Sequence, residues 1–256
     1  MYLSAERLAL ANQAVRETFE QCSIAWQAVP HWDTGDPGQI NVPDGIVATP
    51  NVITVQTRSE PFELTLGEAI APTPDALLTG VASATKTLAK DVDDDILQYL
   101  YTNAGNDVAT ALVTPQPLLN ALVDARVYVE DAGYRAPSCL ITNTEGYKKL
   151  SHLVGGVSIL PQLLTTANID SLYRTKPLNA PDANTRFVLI GRRRRIPQGA
   201  APEASPGEEP VDVAISLWPS VQVDGELPTG KIQLTVRVRY ALRITDDTGV
   251  VRVHNP

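Results

Sequence analysis

Residues equipped for chemistry are few in this chain, and their spacing does not suit it. The three histidines, His31, His152 and His254, stand far apart. No Gly-x-Ser-x-Gly elbow, phosphate-binding loop, dinucleotide glycine fingerprint or His-Glu-x-x-His helix occurs. His31-Trp32-Asp33 sets an imidazole close to a carboxylate, a pair that could pass a proton. In a proline-rich stretch the same triplet builds a turn anchored by an aromatic and an aspartate, and we read it so. Asp91, Asp93, Asp94 and Asp95 crowd acid into a short span. They fall inside a helical pattern and lack the central glycine and terminal glutamate of a calcium loop, so a solvated helix face is expected. Cys22 and Cys139, the only cysteines, have neither metal nor redox spacing, which favours a reducing, intracellular origin. Nothing here calls for a catalytic group, a cofactor or a metal.

Arg192, Arg193, Arg194 and Arg195 form the densest run of charge. Guanidinium forks bind phosphate or pair with carboxylates. Three settings are open: a solvated strand end beside an acidic loop carrying Glu203, Glu208 and Glu209, pairing between subunits, or contact with nucleic acid. A formal net charge of −8 and a pI near 4.9 speak against a surface built to grip phosphate backbones, although a local patch would still serve. Apolar residues at 43 % and charged residues at 20 % of 256 describe an ordinary soluble chain able to bury a large core. No apolar run approaches the length of a membrane span, and the opening residues lack a secretory-signal pattern.

The elements that must carry these residues are long. Residues 231–245 alternate apolar and polar without a break, with Ile232, Leu234, Val236, Val238, Tyr240, Leu242 and Ile244 on one side. Arg237, Arg239 and Arg243 fall on the other, the wetter side of a half-buried sheet or an interface. At about 3.3 Å per residue such a ribbon reaches roughly 50 Å. An amphipathic helix over 4–21, with Ser4 as cap, carries Leu8, Ala11, Val15, Phe19 and Cys22 on one stripe, docked on its own domain or on a neighbour. A longer helix over 75–101, capped at Thr73-Pro74, buries Leu77, Val81, Leu88, Val92, Ile96 and Leu100.

Between these helices, residues 28–57 hold Pro30, Pro37, Pro43 and Pro50, which forbid helix, amid β-branched residues that favour extended backbone. An extended two-stranded arm follows, with a turn near Pro43-Asp44-Gly45. Its apolar residues would be hard to cover within one subunit, so Trp32, Ile40, Val42, Ile46, Val47 and Val52, with Arg192, Arg193, Arg194 and Arg195, are the expected intersubunit contacts. Further on come a helix from Thr114-Pro115 to Gly133, a strand over 138–142, a helix over 144–153 capped by Asn143, and strands over 186–191 and 211–215. An exposed loop over 198–210 lies between the last two.

Three stretches of this succession resemble a known family: Pro61-Phe62-Glu63-Leu64 before the long helix, Pro137-Ser138-Cys139-Leu140-Ile141-Thr142 before a capped helix, and 236–246 followed by Thr248-Gly249-Val250-Val251. The chain resembles, over nearly its whole length, the tailed-phage major capsid proteins of the Hong Kong 97 type, whose fold encapsulin nanocompartment proteins share. The resemblance implies an α+β fold. Its parts are an N-terminal helix or arm (1–27), an extended E-loop hairpin (28–60), a peripheral domain with spine helix and long β-ribbon (61–112 and 211–256), and an axial α/β domain (113–210).

It implies a structural shell protein rather than an enzyme, without catalytic or cofactor residues, assembling with itself as pentamers and hexamers. Residues 39–57 would lie over an adjacent subunit, and 143–179 would point to the pentamer or hexamer centres. Some phage members join a lysine to a neighbour's asparagine. Residues 39–57 contain no lysine, so that chemistry is not expected. Two kinds of shell fit. One is the icosahedral capsid of a tailed bacteriophage, enclosing double-stranded DNA without sequence specificity and assembled in the bacterial host cytoplasm, with portal, scaffold or decoration proteins as partners. The other is an encapsulin-type compartment around a cargo protein. The opening helix favours the second. The 31–37 segment and the 198–210 loop favour the first, which we prefer, and an unfamiliar soluble enzyme is the outside class.

Overall fold

The computed structural model describes residues 3–46, 49–179, 184–192 and 208–256, with Ala136 by its backbone alone. Ser4 caps α1 (Ala5–Cys22) by accepting from the Arg7 amide, and Ser23 in turn caps the short α2 (Ile24–Ala28). Three short strands, β1 (His31–Asp33), β2 (Asn41–Pro43) and β3 (Val52–Thr54), precede β4 (Gln56–Thr65). A capping box between Thr65 and Glu68 opens α3 (Leu66–Ile70). The long helix follows as α4 (Asp75–Thr102). Pro74 is its N-cap without a side-chain bond. Thr73, expected to cap it, instead donates its hydroxyl to Asp75 at 2.7 Å.

Next come β5 (Asn106–Ala109), α5 (Pro115–Asp131) and β6 (Ala136–Thr142). Asn143 caps α6 (Thr144–Leu150), accepting from the Gly146 amide. A tight hairpin, β7 (Leu153–Val154) with β8 (Val157–Ser158), leads to α7 (Leu160–Thr166) and β9 (Ile169–Arg174). The chain ends with β10 (Arg186–Arg192), β11 (Val211–Glu226), β12 (Lys231–Ile244) and β13 (Val250–His254). The fold is α+β, and among the described residues no helix is long and apolar enough to cross a membrane.

These strands form two principal sheets. The first has the order β1-β11-β12-β4 and the second β5-β13-β10-β6-β9. β12 pairs with β4 in unbroken register from Lys231 against Thr65 to Tyr240 against Gln56. Its other neighbour is β11, the partner that the long alternation required. β11 extends eleven residues past the expected end at Ile215, taking Pro219 and Gly225 into register shifts rather than stopping at them. β5 and β13, at opposite ends of the remaining chain, join the second sheet beside β10.

The spine helix is where the apolar stripes converge. Leu77, Val81, Leu88, Val92, Ile96 and Leu100 are all buried, in one core with Val15 and Phe19 of α1 and Ile232, Leu234, Val236 and Val238 of β12. Each such side chain contributes about 1.5–3 kcal/mol. At Gly80 a Cβ would come within 2.8 Å of the Phe62 ring, so only glycine lets α4 lie this close to β4. On the far side of the second sheet a separate core joins Leu118, Leu122 and Val129 of α5 to Leu140, Phe187, Leu189 and Val253. The short elements α2, α3, α7 and β9 were not expected, and α6 stops at Leu150 instead of Leu153.

Two polar groups depart from the expected wet faces. Asp93 is buried on α4, where it accepts from the Ser23 hydroxyl (2.7 Å) and from the Ile24 and Ala25 amides (2.9 and 2.8 Å). Burial pushes its carboxyl up, against those three donors. One carboxylate thus pins the α1–α2 elbow to the spine. Arg243 is the second: its side chain and that of Asp212 are only 4 % and 5 % exposed, joined through two 2.6 Å hydrogen bonds. They stand opposite each other in the β11–β12 register. The alternation of β12 is intact; its second face is simply covered at that end.

His31 and all three tryptophans, Trp26, Trp32 and Trp218, line one cleft of about 640 Å³. The His31 ring stacks on Trp26 (centroids 4.8 Å apart) and meets Trp218 edge-on at 5.5 Å. It keeps an exposed edge, yet desolvation by these neighbours lowers its pKa, opposed by a backbone bond to Val29 and by the Glu20 charge.

Three outcomes are expected. Asp93→Ala strands three donors and should cost about 3 kcal/mol in urea denaturation, since each buried unsatisfied group costs about 1–3 kcal/mol. Arg243→Met leaves Asp212 buried and unpaired, at about 3–5 kcal/mol, whereas adding Asp212→Leu should recover most of that loss. Because the folded-state pKa of His31 lies below its unfolded value, the unfolded chain takes up the proton first. Its contribution is complete above about pH 6.5 and is lost as pH falls through the folded pKa. Melting temperatures should fall between about pH 7 and pH 5, and His31→Phe should fall less over the same window.

Candidate functional site: the arm and the arginine face

The arm begins at β1, which pairs in parallel with β11 from His31 against Val213 to Asp33 against Ile215. Two aspartate turns then bend the chain: Asp33 accepts from the Gly35 amide and Asp36 from the Gly38 amide, both at 2.8 Å. β2 and β3 close a hairpin with Asn41 opposite Thr54, Val42 opposite Ile53 and Pro43 opposite Val52. Gly45, at φ +82°, lies so close to Thr245 that a Cβ would meet its methyl at 2.7 Å. The hairpin therefore leans on the end of β12 of its own subunit.

The arginine face of β12 is what the arm rests on. Arg243 donates to the Pro43 carbonyl at 3.1 Å while it grips Asp212, and its guanidinium lies 4.8 Å over the Trp32 ring. Trp32 completes the cluster by donating its indole N–H to Asp212 at 3.1 Å. Arg239 reaches the first bend, donating to the carbonyls of Pro37 (2.5 Å) and Gln39 (3.0 Å). Trp218 donates to Asp33 at 2.8 Å, which helps to hold that carboxyl below its usual range after the Gly35 amide. Cation–π contact, charge and backbone hydrogen bonding converge on one short stretch of main chain.

This docking divides the expected contact residues. Val42 is 1 % exposed and packs with Val55, Ala214 and Ala241, so its own chain covers it and the expected need for a partner fails there. Trp32 is likewise held within the subunit. Ile40, Val52 and Ile46 remain 64 %, 63 % and 37 % exposed. Arg192 is not on the arm; it lines the tryptophan cleft and donates to the Ala28 carbonyl. Val47, Arg193, Arg194, Arg195 and positions 198–207 of the expected loop lie outside the described residues.

Asp212, Trp218 and Val55 were missed. Pairing 211–215 with the end of the long ribbon would have set Asp212 opposite Arg243, a signal present in the sequence but dependent on register. A second exposed apolar group, Leu153, Val154 and Val157, sits on the β7–β8 hairpin, turned by Gly155 and Gly156 at φ +60° and +84°. Among the described residues no three His, Cys, Asp or Glu side chains are placed to hold a metal ion.

No protein-family model matches the chain, and no curated protein matches it in sequence. Solved structures do match it in backbone. A virus-like particle from Pyrococcus furiosus aligns with a TM-score of 0.71 at 14 % identity, over 97 % of this chain and 98 % of that one. The holo-SrpI encapsulin complex from Synechococcus elongatus PCC 7942 aligns at 0.61 and 10 % identity, over 91 % and 88 %. The capsid of cyanophage P-SCSP1u aligns at 0.56 and 12 % identity, over 90 % and 86 %. The N-terminal helix, arm, spine helix, long ribbon and second sheet together make this the Hong Kong 97-type capsid fold.

Proposed function

We propose that this chain is a structural shell protein, the major capsid protein of a tailed bacteriophage, which assembles with itself into an icosahedral capsid around double-stranded DNA. The observation that carries the shell reading is the backbone match along almost the full length of both chains to a virus-like particle. The exposed apolar residues on both hairpins support it, because isolated subunits gain nothing from showing Ile40, Val52, Leu153 and Val157 to water. In this reading residues 28–60 are the E-loop and 1–27 the N-terminal arm. Residues 61–112 and 211–256 form the peripheral domain, and 113–210 the axial one. β5 and β13, which these bounds assign to the peripheral domain, hydrogen-bond into the sheet of β10, β6 and β9. Each subunit touches several neighbours, and closed symmetry makes modest contacts cooperative.

A second reading, an encapsulin-type compartment around a cargo enzyme, draws on the encapsulin alignment. Its coverage of 91 % and 88 % equals that of the cyanophage capsid, at 90 % and 86 %, within a few per cent. The contents separate the two. Nuclease-protected double-stranded DNA and a portal accompany a phage capsid, and a co-purifying protein accompanies a compartment.

Electron microscopy of the purified full chain should show closed particles of megadalton mass. A chain that stays monomeric at high concentration overturns the shell reading. Ile40→Asp combined with Val52→Asp should leave subunit stability within about 1 kcal/mol, as exposed positions do. The same pair should abolish closed particles by light scattering.

A further inference from the structure

We infer that Arg239 is a positioning residue for assembly: it fixes the pose of the arm in the free subunit, before a second copy arrives. This rests on the shell reading. The two arginines that hold the arm differ in kind. Arg243 is a buried member of an ion pair, bonded twice to Asp212, so it belongs to the fold of the sheet as much as to the arm. Arg239 is partly exposed and spends two donors on main-chain carbonyls, those of Pro37 and Gln39.

A guanidinium presents its donors in a rigid planar fork, so one side chain can bridge two carbonyls only if both face it. The bridge therefore constrains the Pro37–Gly38 and Gln39–Ile40 peptide units, and the Gly38 amide, in the first of them, is also held by Asp36 at 2.8 Å. The Gln39 amide donates back to the Asp36 carbonyl at 3.1 Å, which closes the bend. Ile40 follows directly, and its carbonyl accepts from the Val55 amide at 2.8 Å. Fixing Gln39 thus fixes the direction in which the exposed Ile40 side chain leaves the hairpin.

The rest of the subunit does not need this bridge. Arg239 sits at an uninterrupted point of the β12–β4 ladder, opposite Thr57, and those backbone bonds survive a change of side chain. Loss of the bridge frees the bend between β1 and β2. The conformational entropy regained there must be given up again when copies associate, and this weakens assembly without touching the contact surface. A lysine, with one ammonium in place of a fork, can hold one carbonyl well but not both in the same plane.

The test uses the full chain as wild type, Arg239→Ala and Arg239→Lys. Amide hydrogen exchange is read below the assembly concentration, and particle formation by light scattering. Arg239→Ala should speed exchange at Gln39 and Val55 by about tenfold or more, the worth of a charge-assisted hydrogen bond. It should keep the melting temperature and raise the concentration needed for particles by a similar factor, with Arg239→Lys between the two. Unchanged exchange in Arg239→Ala overturns the proposal, as does faster exchange with wild-type assembly. If the wild type itself forms no particles, the shell reading falls and the assembly role with it, whatever the exchange data show.

Discussion

The Arg243–Asp212 pair is the constraint on which the arm, the register of the long strands and the covered end of the sheet all depend. Removing two charges from water costs several kcal/mol per ion, and their attraction offsets this only with near-ideal geometry. Here the geometry is supplied from three sources: register places the carboxylate opposite the guanidinium, Pro43 offers a carbonyl, and Trp32 covers one side while donating to Asp212. None of these is optional. A slip of one residue between β11 and β12 would turn Arg243 to the other face and leave Asp212 alone in the interior. A charge pair that contributes little net stability can therefore specify one arrangement strongly.

The first sheet has two faces and two different tasks. Its apolar face meets the spine helix and α1, where most of the core lies. Its other face is polar, and near Arg239 and Arg243 it becomes a track for the arm. Because the arm is held by its own main chain and by Val42, its outer residues remain free. Covered inside and apolar outside, the hairpin is a preformed element, and preformed elements lose less entropy on association than disordered ones. The same economy holds at the α1–α2 elbow, where Asp93 takes up three donors that would otherwise be buried unmet.

The elements legible in the sequence were those whose periodicity reports on one large partner. α1, α4, α5 and β12 each press a single stripe against a broad surface, so apolar spacing alone revealed them. Elements whose partners are small or local were not legible. α3 and α7 have five and seven residues, too few for a stripe to show. β11 was expected only as far as Ile215, because beyond it the pairing with β12 shifts register three times and the apolar alternation is lost. Of the candidate site, Ile40 and Val52 were named from their type and setting. The arginine face was seen but taken for a wetted or intersubunit one.

By itself, then, the sequence determined the spine, the ribbon and the presence of an extended arm, because propensity and alternation act locally. Where the arm lies was a tertiary decision. Whether Val42 meets its own sheet or another chain, and whether Arg243 faces water or Asp212, depends on which strands become neighbours and in what register. That information is spread over residues as distant as Trp32 and Arg243, and no local pattern carries it.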